Sequence, residues 1–386
     1  MNRCAKKVTV FAFALLSLLG AVGAAAAVLV QSTPDDGLQP RLTVDQQGGI
    51  HLLYFKKRLD RPDAREGNLY YRQYLADEDR FSLPVKVSSQ AYNLQTVSIS
   101  RASIAVDAAG RVHVIWYLPR SFEYFYSRSN TERNQFTPQQ SMVSEYAIGL
   151  DAGADIAALD NRVAIAWGAG DLSREFERTV FVRLSNDAGE SFQPEMPVGN
   201  PDLGACACCS LATDFLNQDE LFVAYRSAVN GVGRHTQLLT LSIENNEISG
   251  SSYAEVSKLQ QWELSSCPLS TNDIGIDNNA NRWLVFETAA RIVQKNLQSE
   301  EAPTLVAEPL SATRQKNPAI AFNSAGEHLV VWGEGISHSR GGSLNMRLFG
   351  ADGQVLDSNF TAEIEIPEFS FPAVANLPNG DFLLLY

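Results

Sequence analysis

The sequence predicts an all-β chain folded as a β-propeller of four-stranded antiparallel blades, six or seven in number. Three observations carry this. A hairpin-sized pattern recurs along the chain, and the aromatic residues that end its copies stand 46 to 62 residues apart. The apolar residues inside each copy alternate with period two, as strands require, and not with the period of a helix. Each unit also leaves room for two further strands, which is the arithmetic of a propeller blade.

The copies run in order from Pro40 to Tyr54, Ala102 to Trp116, Asp155 to Trp167, Ser210 to Tyr225, Asp273 to Phe286, Pro318 to Trp332 and Pro372 to Tyr386. Each reads as two strands joined by a turn rich in Asp, Asn or Gly, residues that supply the turn backbone. Third strands are expected over 68–72, 122–128, 180–185 and 344–349, with a fourth strand closing each unit. The strand period excludes a helical solenoid, and two stacked sandwiches fit the strand count but not the repetition. The seventh copy ends at Tyr386 with no third or fourth strand after it. The expectation is therefore an incomplete last blade, six full blades with an extra hairpin, or a truncated chain. The segment from Val28 to Leu38 is expected to add one strand that closes the ring.

Residues 1–27 read as an export signal. Arg3, Lys6 and Lys7 precede an apolar run from Val8 to Val22, and Ala24 to Ala27 offers the small residues that signal peptidase needs before Val28. The alternative is an uncleaved anchor, because the apolar stretch continues through Val30 and is long enough to span a bilayer. Residues 28–386 then form one domain, since no linker or charge block divides them. Net charge is −13, and loss of the three basic residues takes it to −16, which argues against nucleic acid as a partner. The expected location is periplasmic or secreted, with no membrane contact after signal removal. Oligomeric state is not legible.

Between the third and fourth strands of one unit stands Ser185-Asn-Asp187-Ala-Gly189-Glu-Ser191-Phe192, with a worn copy from Ser129 to Phe136. The segment matches the Asp-box, and on it the chain resembles the sialidase-like (BNR-repeat) propellers. The resemblance implies a structural box: an Asp that binds backbone N–H groups in a tight turn, a Gly at positive φ and an aromatic packed under the blade. A second resemblance covers Leu203 to Asp277, where Cys206-Ala-Cys208-Cys209, Tyr225-Arg226 and Trp262…Cys267-Pro268 are similar to an exported bacterial group of such propellers carrying a C-x-C-C segment. Here Ser270 to Asp273 stands where that group carries Gly-Pro. This group implies the fold without fixing a reaction.

Sialidases of this fold clamp a substrate carboxylate with three arginines and use a Tyr–Glu nucleophile and an Asp acid/base. The first clamp arginine would stand two residues before Pro40, where this chain has Leu38, so true sialidase activity is not expected. A glycoside hydrolase or lyase of another specificity remains an alternative, with Glu287 and Asp63 as the candidate catalytic acids.

Every connection from second to third strand carries an arginine, in an acidic protein. Planar guanidinium forks grip carboxylates and sulfates well. Arg58, Arg226, Arg234 and Arg291, with Trp262, are therefore candidate ligand-binding residues for a carbohydrate or other anionic small ligand. A non-catalytic binder of glycan or protein is the second functional reading. The bland reading is that acids in the same loops, such as Asp60 and Glu177, pair with these arginines.

The even set Cys206, Cys208, Cys209 and Cys267 is expected to form disulfides in an oxidising compartment. The alternative is a soft metal held by thiolates; otherwise no cofactor is expected. His51 and His113 occupy the same position in two copies and read as structural.

Overall fold

The computed structural model describes residues 25–60, 65–94, 101–118, 121, 123–144, 153–170, 174, 177–206, 208–249, 255–308, 312–337, 340–356 and 361–386. The signal-like segment up to residue 24, and Asp63 with it, lie outside them. The described residues form seven small sheets and no α-helix.

The innermost strands are Leu38–Val44, Ser103–Val106, Asp155–Leu159, Ala212–Asn217, Asp273–Ile276, Gln315–Phe322 and Ala373–Asn376, in blades I to VII. Each touches the next, and the last touches the first, so the sheets close into a ring. Their partners are Ile50–Lys57, Val112–Leu118, Arg162–Ala169, Glu220–Arg226, Arg282–Thr288, His328–Glu334 and Phe382–Leu385. These second strands are buried along almost their whole length, because a neighbouring blade covers each of their faces. Seven apolar clusters result, one for each pair of adjacent blades. The seven-bladed reading is therefore the one the structure takes.

Closure comes from Val28–Gln31, which pairs with Phe382–Leu385 in the last blade. The pairing is parallel, with Val28 opposite Phe382. Blade VII thus has three strands, the third supplied from the other end of the chain.

The turns between first and second strands lie at one end of the ring. Four share one device. Asp45, Asp107, Asp277 and Asn323 each accept two backbone N–H groups through a single side-chain oxygen, at 2.7–3.0 Å. Gly110 takes φ +80° in one of these turns, a conformation that a Cβ would strain. His51 and His113 lock two of them. Each bonds the turn Asp through Nε2 (2.8 and 3.2 Å) and a tyrosine, Tyr71 or Tyr126, through Nδ1 at 2.7 Å. Burial lowers the pKa of both rings, with the acids opposing it.

The turn after Thr179–Ser185 lies at this same end. Asp187 accepts the Ser191 N–H (2.9 Å) and hydroxyl (2.6 Å), the Ser185 hydroxyl accepts the Gly189 N–H (2.9 Å), and Phe192 packs edge-on against Tyr126.

Candidate functional site

The opposite end of the ring is built from the starts of the first strands and the ends of the second strands. Over blades IV to VI it gathers an unusual density of buried polar groups. We call it the mouth.

Arg226 ends the second strand of blade IV and is 2% exposed. It donates from Nη1 to the Arg234 carbonyl (2.9 Å) and from Nη2 to the Glu287 carbonyl (2.6 Å), tying blade IV to blade V. Its guanidinium stands 5.1 Å from the centre of the Trp262 ring. Arg314, from the connection into blade VI, stands 5.7 Å from the same ring. Such distances are those of cation–π contacts. Trp262 is half-buried, so the indole carries two cations and keeps part of its surface open.

Glu287 has no exposed surface. Its Oε1 accepts Arg314 Nε at 3.0 Å and Arg314 Nη2 at 2.5 Å, whereas its Oε2 has no partner. Burial raises its pKa, and Arg314, Lys316 and Arg226 oppose the rise. Lys316 is buried nearby, and burial lowers its pKa against the pull of Glu287.

The cysteine loop packs beside these groups. Cys206 N–H donates to the Arg226 carbonyl at 2.8 Å, and Cys209 bridges to Ser270. Cys206, Cys208 and Cys209 are buried and all four cysteines are free thiols. The sulfurs of Cys206 and Cys208 are 3.2 Å apart, against about 2.05 Å for a bonded pair. The expected disulfides are thus not present in this structure. Three sulfurs converge on one point instead of pairing off, because two of them come from adjacent residues. Hydrogen bonds to Cys206, Cys209 and Cys267, and then burial, push the Cys208 thiol up. Cys209 goes the other way: burial opposes it, but the Cys206 and Cys208 thiols and the charge of Arg226 hold it low.

A polar seam continues toward the channel. Asn272 Nδ2 donates to the Ser210 carbonyl, the Asn317 side chain accepts the Thr271 N–H, and the Asn272 carbonyl accepts Arg101 Nη2 at 2.7 Å. Ser210 Oγ, Thr271 Oγ1, Asn272 Oδ1, Asn317 Nδ2, Thr288 Oγ1, Gln39 Nε2 and Arg226 Nε are buried without a hydrogen-bond partner among the described residues. Below the seam, Arg41 pairs with Asp273 at 2.6 Å and lies 4.0 Å from Asp155. Arg41 and Asp273 border a channel cavity of about 190 Å³, also lined by Gly275, Ile320 and Val374. A larger cleft of about 530 Å³ lies between blades VII and I and includes Asp77, Asp79 and Asp381. Asp77 and Asp79 are exposed and Asp381 is half-buried, and none of the unpartnered buried atoms lines it.

The structure therefore brings together Glu287, Arg226, Arg234, Trp262 and the four cysteines. Arg234 is buried and donates to the Gly231 carbonyl, so it and Arg226 act as struts and not as exposed ligand clamps. Arg58 stays apart in blade I, paired with Asp60 (2.7 Å) and Glu66 (3.1 Å). Arg291, half-exposed, stands 3.8 Å from Glu308. For Arg58 and Arg174 the acids of their own loops supply the partners. Arg314 and Lys316 were missed by sequence. The usable signal was position: they stand just before the sixth copy, where each connection into a blade reaches the mouth.

No sequence-family model and no curated protein matches this chain. Solved structures do. A Hadza microbial sialidase, Hz136, superposes with TM-score 0.51 at 11% identity over 83% of this chain and 67% of its own. The shared architecture is the β-propeller. A Penicillium chrysogenum α-L-arabinanase solved with arabinobiose gives TM-score 0.53 at 12% identity, over 86% of this propeller and 99% of its own chain. A Dyadobacter fermentans protein of unknown function gives 0.52 at 11% identity, over 83% and 96%. At such identities the likeness is one of architecture.

Proposed function

We propose that this protein is exported and binds a carbohydrate or other anionic small ligand at the mouth over blades IV to VI. The observation that carries the reading is the polar capacity left unused there. Native folds satisfy nearly all their buried polar atoms, so a cluster of unpartnered hydroxyl, amide and carboxylate groups at one end of a channel calls for a ligand or ordered water. Ser210, Thr271, Asn272, Thr288 and Asn317 are about as enclosed as Glu287, so their unused donors and acceptors reach a sugar at the mouth through ordered water or a local opening. Trp262 supplies an apolar platform beside them, and Arg314, about one-third exposed, supplies the cation for a carboxylate or sulfate. The propeller glycosidases that share the architecture support the sugar reading by analogy of fold.

Binding is favoured over hydrolysis by one feature. Glu287 has a raised pKa, which suits a general acid, but it is wholly enclosed and clamped by Arg314. It positions Arg314 in this state.

The test is calorimetric titration of the full chain with sialic acid, oligogalacturonate, sulfated oligosaccharide and arabino-oligosaccharides. Trp262→Ala and Arg314→Gln should each weaken the ligand that binds by about tenfold or more. Binding that survives both substitutions would remove the mouth as the site. Turnover of any of these sugars that Glu287→Gln abolishes while sparing affinity would establish the hydrolase reading instead.

A further inference from the structure

The cysteine cluster has a geometry and an electrostatic setting that the ligand site does not use. Cys206 Sγ lies 3.2 Å from Cys208 Sγ and 3.9 Å from Cys209 Sγ, and all three sulfurs lie within 4.8 Å of one another. Thiolates around a zinc ion, with bonds near 2.3 Å, stand about 3.8 Å apart in a tetrahedron. The backbone holds this arrangement from several sides. Gly204 takes φ +60° at the end of the turn Pro201–Leu203, Cys206 is tied to Arg226, and Cys209 is tied to Ser270. Cys267 reaches Cys208 from the loop that carries Trp262, and it is the one exposed cysteine of the four.

The charges around the sulfurs are a separate observation. Arg226 and Lys316 are both at least nine-tenths buried, and each stands in electrostatic range of one or more of these cysteines. Glu287 is the buried carboxylate they share, and Arg314 already holds it. Two enclosed cations against neutral thiols would be costly. Against four thiolates and a divalent ion, a unit of net charge −2, they balance. A monovalent ion would leave the unit still more negative.

We propose that Cys206, Cys208, Cys209 and Cys267 are the ligands of one thiophilic d10 metal ion, zinc or copper(I), with Cys267 closing the site from the solvent side. Binding exchanges the thiol protons for the ion and involves no change of oxidation state. The soft thiolate donors select these ions over calcium or magnesium. This inference stands independently of sugar binding at the mouth.

The experiment uses the purified full chain, reduced and stripped of metal under inert gas. Zinc and copper(I) are titrated separately against competing chelators, and native mass is recorded with each. One ion per chain is expected, with Cys206, Cys208 and Cys209 protected from alkylation in its presence. Cobalt(II) in place of zinc should show the thiolate charge-transfer bands and the intense visible bands of a tetrahedral site. Cys209→Ser should weaken binding at least about 100-fold, and Cys267→Ser about tenfold, as loss of an inner and of a peripheral ligand. Tighter competition by zinc or by copper(I) tells which ion the site prefers. If Cys209→Ser fails to fold, the alkylation map of the unsubstituted chain decides by itself. The proposal is overturned if the air-isolated chain carries two disulfides that survive with no metal bound, or if all four thiols alkylate equally with and without either ion.

Discussion

The two ends of this ring use the same kinds of residue for opposite purposes. At the turn end, polar side chains close on their own backbone: Asp107 accepts two N–H groups of its turn, Arg111 and the His113 ring, and Tyr126 completes the set. At the mouth, Glu287 keeps one oxygen without a partner, and Thr288, Asn272 and Asn317 each leave a polar atom unused. The turn end has unpartnered atoms too, at Arg133, Arg162 and Asn186, but they are scattered over blades II and III, and each of those side chains makes another bond. The difference teaches where to look for function in a repeat fold. Repetition with satisfied polar groups holds the blades together, whereas departure from repetition with unsatisfied groups marks a site.

The largest effect that would break this comparison is at Asp107. Asp107→Ala should cost about 3–5 kcal/mol, because it strands buried His113 and two turn N–H groups. Urea unfolding would show it, and ligand binding by the folded fraction should be unchanged. A loss below about 1 kcal/mol would mean that the turn network is not structural.

Acid sharpens the comparison next. His328 begins the second strand of blade VI at the turn end, packed on Phe349 (4.6 Å) and Phe322 (4.8 Å). Burial pushes its pKa down to about 4, with Asp277 opposing. The folded ring binds a proton less readily than the unfolded one, whose pKa is about 6.5. Its contribution is therefore fully present above pH 6.5 and is lost as pH falls toward 4, by roughly 3 kcal/mol. Thermal unfolding across that window should show the slope, and His328→Phe should flatten it.

The smallest expected effect is at the mouth. Thr288→Val removes a hydroxyl with no partner and keeps the shape, so stability should hold or rise by up to about 1 kcal/mol while ligand affinity falls. Thr213→Val is the control, since its hydroxyl donates to the Phe222 carbonyl at 2.6 Å and its loss should cost about 1 kcal/mol. Equal losses at the two threonines would erase the distinction between satisfied and unsatisfied groups.

Much of the fold was legible. The copy from Ala102 to Trp116 displays its strand period and its turn in fifteen consecutive residues, and the structure pairs Ile104 with Val114 across that turn. A closing strand after Val28 was legible as well, but its parallel direction was not, because one short apolar run has no polarity that sequence can read. At the site, the cysteines, Arg226, Trp262 and Glu287 stood out by type. Arg58 and Arg291 stood out equally and lie elsewhere, since an arginine in a charged loop looks the same whether it faces a ligand or its own Asp60.

By itself the sequence determined the blade: alternation, turn residues and terminal aromatics are local, and local sterics and burial read them directly. Only the tertiary structure decided which ends of the strands meet. Arg314, Trp262 and the cysteines come from three connections and Glu287 from the end of a second strand, as much as 108 residues apart, Cys206 to Arg314, and their meeting depends on ring closure and the packing of blade on blade. Long-range juxtaposition of this kind leaves no periodic trace in the chain. It is written in the sum of seven apolar interfaces, each of which specifies only its own two neighbours.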